Sequence, residues 1–148
     1  MTVTVADMAG LMNRLAPPEL AESWDNCGLQ AGSYGWSADL VWVALDPSCE
    51  VIAAACAAGV NLLITHHPLL LSGMKNIDFE DMPGRAIRMA AEHRLSIFSA
   101  HTSLDSADGG LNDVCAERLE LTRGRGRASP GHPGYRRLAV FVPGTQES

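Results

Sequence analysis

At 148 residues, with 47% hydrophobic and 19% charged side chains, the chain has the size and composition of one globular domain with a tail, not of a disordered or fibrous protein. Its formal net charge of −6 argues against a general binder of nucleic acid or anionic membrane. Of 11 basic residues only Lys75 is a lysine, and Ser72-Gly73-Met74-Lys75-Asn76 does not fit a phosphate-cradling Gly-x-x-x-x-Gly-Lys-Ser/Thr loop, which excludes P-loop chemistry.

Val5, Met8, Leu11, Met12 and Leu15 form the stripe of an amphipathic helix that starts at Thr4 and stops at Pro17-Pro18. An irregular segment follows over Glu22 to Ser33. Leu40 to Leu45 is a continuous apolar run of strand length, which predicts burial on both faces. Ser48 caps a helix that Gly59 ends, and Cys49 and Cys56 fall on one face of it as small core residues. Asn61 to Thr65 is a second buried strand. Pro83 opens a helix running to about Arg94, Leu95 to Ala100 forms a third strand, and Asp108 begins a helix carrying Leu111, Val114, Cys115, Arg118 and Leu119.

Strands alternating with helices predict an α/β fold, a mainly parallel sheet with helices on both faces, over residues 1–122. Residues 123–135, rich in Gly, Pro and Arg, read as a linker, and 136–148 as a terminal strand (Arg137 to Val142) leading towards a second half. Cys27, Cys49, Cys56 and Cys115 lack knuckle or disulfide-scaffold spacing, so reduced thiols in the cytoplasm are expected. Met1-Thr2-Val3-Thr4-Val5 lacks the pattern of a signal peptide, and polar residues interrupt the apolar stretch from Val51 to Gly73, so no membrane span is expected.

The chemistry-bearing residues gather after the strands: Asp46 after the first, His66 and His67 after the second, His101 and Asp105 after the third. Open α/β sheets bind ligands beyond the carboxyl ends of their strands, so three strands deliver imidazole and carboxylate to one edge. Alternation along an extended chain, reinforced at His67 by Pro68, predicts that the two adjacent imidazoles diverge, which favours one ion for each and two ions about 3.5–4 Å apart. The four-residue spacing of His101 and Asp105 brings their side chains together in a helical turn. Asp105 is then a ligand, and His101 either a ligand or a group that orients one. Mixed imidazole and carboxylate donors suit Zn, Fe or Mn. Asp25 and Asn26 read either as turn formers, with Trp24 covering the core, or as part of the metal edge. For His93, in a helix, and His132, in the linker, no role is expected. Zincin, metallophosphatase and Gly-x-Ser-x-Gly patterns are all missing.

Taken together, Ala21-Glu22-Ser23-Trp24-Asp25-Asn26-Cys27-Gly28-Leu29-Gln30-Ala31-Gly32, Val43-Ala44-Leu45-Asp46, Ile64-Thr65-His66-His67-Pro68-Leu69, His101-Thr102-Ser103-Leu104-Asp105 and Gly109-Gly110-Leu111-Asn112-Asp113 resemble the N-terminal half of the Nif-three-like family, the GTP cyclohydrolase I type 2 homologues. The resemblance implies a toroidal homohexamer of α/β subunits with a dinuclear metal centre, for which His66, His67 and Asp105 match the N-terminal ligands. His101, Asp46, Asp25 and Asn26 then stand around the site. Family members continue for a hundred or more residues and add a further His and a bridging Glu. This chain stops at Ser148, so the expectation is a truncated product or a site completed by a partner chain.

The function expected is that of a metal-binding protein and metal-dependent hydrolase, in which a metal-activated water attacks an electrophilic carbon or phosphorus. The family name implies opening of the purine imidazole ring of GTP. The alternative is a non-catalytic metal-binding scaffold or regulatory interaction protein. Expected partners are further copies of the chain and a small-molecule substrate, with no nucleic acid and no membrane.

Overall fold

The computed structural model describes residues 2–121. The linker over 123–135, the strand from Arg137 to Val142 and His132 lie outside the described residues.

Helix α1 (Val5–Leu15) begins in a capping box: Asp7 N–H donates to Thr4 Oγ1, and Thr4 N–H donates back to Asp7 Oδ2. A short 3-10 turn over Pro18–Leu20 follows. Four strands, β1 (Gly28–Ala31), β2 (Val41–Ala44), β3 (Leu62–Thr65) and β4 (Ser96–Ser99), make one sheet in the order β1-β4-β3-β2. Pairing is parallel across β2, β3 and β4 and antiparallel between β1 and β4. Helices α2 (Cys49–Ala57) and α3 (Gly84–Glu92) lie between the parallel strands in sequence. Helices α4 (Thr102–Ser106) and α5 (Leu111–Arg118) follow β4.

Both sheet faces are covered by helix, as the strand-helix alternation requires. The period-two alternation of β3 and β4 divides the core. Leu62, Ile64 and Phe98 pack with Val5 and Ala9 of α1, while Leu63 and Ile97 pack with Ile52 and Ala55 of α2 and Ala86 and Ala90 of α3. Ser48 Oγ accepts from Val51 N–H at the start of α2, and Gly59, with φ of +71°, supplies the left-handed residue beyond its end.

Four expectations need correction. The segment Glu22 to Ser33 is not wholly irregular: it holds β1, an antiparallel edge strand that a bulge between Leu29 and Ala31 disguises. Gly32, with φ of +104°, lets the chain leave β1 against β4, since a Cβ there would stand 2.7 Å from Ser96 Cα. The run Leu40 to Leu45 is not buried on both faces. Among the described residues β2 pairs with β3 alone, and Trp42 and Leu45 are exposed and Val43 is 80% exposed. Residues 102–118 form two helices, broken before Gly110, instead of one helix beginning at Asp108. Cys49 is only half-buried and donates to Met82 Sδ, so it is no core residue, whereas half-buried Cys56 packs against the α2–α3 core. Among the described residues no helix is long and apolar enough to cross a membrane.

Candidate metal centre

The site stands at the carboxyl end of the parallel strands. β2 delivers Asp46, β3 delivers His66 and His67, and β4 leads to His101, the residue before α4. Because β1 runs antiparallel, with Gly28 opposite Ser99, it is the residues before β1 that reach the same rim: Trp24, Asp25, Asn26 and Cys27.

His66 and His67 do not diverge. The extended strand ends at Thr65, whose buried hydroxyl donates to the His67 carbonyl at 2.8 Å and closes a bend, so side-chain alternation no longer applies. The two ring centroids are 5.0 Å apart, and His101 lies 5.1 Å from His66 and 5.7 Å from His67. One ligand atom from each of His66, His67 and His101 lies within 4.8 Å of the other two.

Hydrogen bonding selects which nitrogen each ring offers. His66 Nδ1 is 3.2 Å from the Ala100 carbonyl oxygen, His67 Nδ1 is 2.6 Å from Asp46 Oδ1, and His101 Nδ1 is 2.9 Å from Asp25 Oδ1. Carbonyl and carboxylate oxygens only accept, so each Nδ1 carries a proton and donates it. In the neutral ring that leaves the Nε2 lone pair free, and the same choice is made three times by three different acceptors.

The other sequence candidates take distinct places. Asp105 N–H closes the α4 turn onto the His101 carbonyl, and its Oδ1 stands 3.8 Å from His66 Nε2, beyond hydrogen-bond length and beside the imidazole triad. Asp46 is an exposed rim carboxylate bonded to His67. Asn26 faces another way: its Nδ2 donates to the Leu70 carbonyl at 2.6 Å, tying down the loop that leaves His67. Trp24 does not cover the core; its exposed indole meets His101 edge-on with centroids 6.0 Å apart. His93 donates from Nδ1 back to Met89 on α3, away from these groups.

Asp25 is the buried hub. Its side chain has no exposed surface. Oδ1 accepts from Asn26 N–H at 2.8 Å and from His101, while Oδ2 accepts from Thr102 N–H at 3.0 Å, from the Thr102 hydroxyl and from Cys27 Sγ at 3.1 Å. Burial opposes ionisation, yet the bonds from the Thr102 hydroxyl, His101, Cys27 and Thr102 N–H outweigh it and hold the carboxyl well below the usual carboxylate range. Sequence reasoning did not find Thr102, Cys27 or Gln30 as parts of this edge. Gln30, buried in β1, accepts from Leu70 N–H and donates to the Asn26 carbonyl, and a polar residue in so short a strand was the available signal.

Residues 3–131 match the model of the family described as Duf34/NIF3 (NGG1p interacting factor 3). A protein of Bacillus subtilis named GTP cyclohydrolase 1 type 2 homolog is 37% identical over 133 residues, covering 90% of this chain and 36% of that protein. Its namesake in Mycobacterium tuberculosis is 37% identical over 122 residues, covering 82% and 32%. Among solved structures, a Bacillus cereus protein related to NIF3 superposes with a TM-score of 0.77 at 34% identity, covering 82% of this chain and 34% of the other. Reduced HcgD from Methanocaldococcus jannaschii gives 0.76 at 34% identity, covering 82% and 49%. The chain therefore spans about a third of the length of the curated relatives it matches.

Proposed function

This chain belongs to the Duf34/NIF3 family, and from that premise we propose that it is a divalent-metal-binding protein whose centre serves a metal-dependent hydrolase. The observation that carries the reading is the convergence of His66, His67 and His101, each with Nδ1 tied to an acceptor and Nε2 left as a donor to an ion.

The residues fit such an ion. An all-imidazole face with a carboxylate beside it suits Zn, Fe or Mn, and no thiolate belongs to the triad. When bound, the cation supplies Lewis acidity at the rim. His66, His67 and His101 would hold it through Nε2, while the Ala100 carbonyl, Asp46 and Asp25 keep the rings aimed. Asp105, whose Oδ1 stands 3.8 Å from His66 Nε2, would take part in a second ion in the two-ion centre that the resemblance implies. Self-association belongs to the same proposal, and light scattering checks it by returning a mass above that of one chain.

Metal analysis of the purified chain beside His66→Ala and Asp105→Ala tests the reading. The expected result is bound transition metal in the parent chain, negligible metal in His66→Ala and reduced metal in Asp105→Ala. Equal and negligible metal in all three ends the proposal.

The exposed apolar edge at Val43 favours a second reading, a non-catalytic metal-binding scaffold acting through assembly. An oligomer indifferent to chelator, without turnover of nucleotides or phosphoesters, would support the scaffold over the enzyme.

A further inference from the structure

Asp25 meets hydrogen-bonding groups on both of its carboxylate oxygens. Apart from His101, its two oxygens receive four donors from Asn26, Cys27 and Thr102, among them the fixed backbone N–H groups of Asn26 on Oδ1 and Thr102 on Oδ2. Donors converging on both oxygens favour the ionised carboxylate, which offers acceptor sites only. A group with no proton to give cannot donate to His101, so His101 must donate to it.

We propose that Asp25 is the tautomer lock of the centre: it forces the His101 proton onto Nδ1 and thereby keeps Nε2 open as the third metal donor. This rests on the metal-binding reading above. Asp25 is a positioning residue, acting on the ion only through His101. It is also the longest-range support of the triad, since 76 residues separate it from His101, whereas 34 separate His66 from Ala100 and 21 separate His67 from Asp46. The lock is built into the fold by the antiparallel course of β1, which brings the segment before Gly28 to the carboxyl end of β4.

Asp25→Asn distinguishes this role from simple packing, because the amide keeps the size of the carboxyl but has only one acceptor atom. Three donors lie on the Oδ2 side and two on the Oδ1 side, so the amide oxygen is expected to face Thr102 and Cys27 and the NH2 to face His101. His101 then accepts at Nδ1, its proton moves to Nε2, and the donor to the metal is capped.

Two readouts test this. In the metal-free chain with isotope-labelled histidine, nitrogen–proton correlations at mildly alkaline pH report which ring nitrogen carries the proton, with the His101 signal assigned through His101→Gln. The expected result is Nδ1–H in the parent chain and Nε2–H in Asp25→Asn. In a zinc competition titration, Asp25→Asn should bind at least about tenfold more weakly than the parent. A parent chain whose His101 carries its proton on Nε2 overturns the proposal even if the variant does not fold. A folded variant that keeps both the Nδ1–H form and parental zinc affinity overturns it as well. A parent chain that binds none of zinc, iron and manganese refutes the metal-binding reading, and the two failures are separable because the tautomer is read without metal.

Discussion

His67 Nδ1 stands 2.6 Å from Asp46 Oδ1, so one charge-assisted hydrogen bond joins the ends of β3 and β2 at the rim of the sheet. Removing this partner frees the His67 ring to rotate and to exchange tautomers. Asp46→Ala is therefore expected to weaken zinc binding roughly tenfold, the lower end of the range for such partners, because the Asp46 side chain is 57% exposed and water can replace it. A zinc competition titration checks this.

Gly32→Ala is expected to destabilise the domain by about 2–3 kcal/mol. The backbone there has φ of +104°, and a Cβ would lie 2.7 Å from Ser96 Cα, so β1 must part from β4 or strain against it. Urea unfolding followed by circular dichroism measures the loss. Because β1 carries the Asp25 segment to the site, the same variant should also bind zinc more weakly.

Leu63→Ala and Val43→Ala separate the two strands that look alike in sequence. Leu63 is fully buried between the sheet and the α2–α3 layer, and its truncation should cost about 2–5 kcal/mol. Val43, on β2 at the edge of the described sheet, is exposed, and its truncation should change stability by no more than about 0.5 kcal/mol in the monomer. Paired unfolding curves at low protein concentration decide it.

The capping box at the start of α1 gives a pH-dependent prediction. The bonds from the Thr4 hydroxyl and backbone N–H hold the Asp7 carboxyl below its ordinary value of 3.8. A depressed folded-state pKa contributes stability that is present above the unfolded value and is lost as pH falls through the folded one. Thr4→Ala should thus lower the melting temperature by roughly 3–5 °C at neutral pH. The penalty should shrink as pH falls below the unfolded value of 3.8 and through the lower folded one. A penalty that stays constant with pH would assign it to the hydroxyl cap alone.

Much of this architecture was legible because periodicity and strand ends are local signals. The stripe on α1, the Ser48 cap and the polar residues following three apolar runs placed the parallel strands, the two helix layers and the rim. The misreadings have local causes too. β1 is only Gly28–Ala31, carries a bulge and includes a polar Gln30, so no apolar run announces it. The composition of Leu40 to Leu45 cannot say which strand stands at an edge, and among the described residues β2 does. The divergence expected of His66 and His67 assumed an extended chain, whereas the Thr65 hydroxyl bends it one residue earlier. The grip of Asp25 on His101 spans 76 residues, and it becomes visible only once β1 is laid antiparallel beside β4.

The most direct test is anomalous diffraction at the zinc edge from crystals of this chain grown with zinc. The account predicts a peak bound by Nε2 atoms of His66, His67 and His101, at the usual Zn–N distance of about 2.0–2.1 Å. A well-occupied zinc held elsewhere, with these three imidazoles ordered and free of metal, would contradict it.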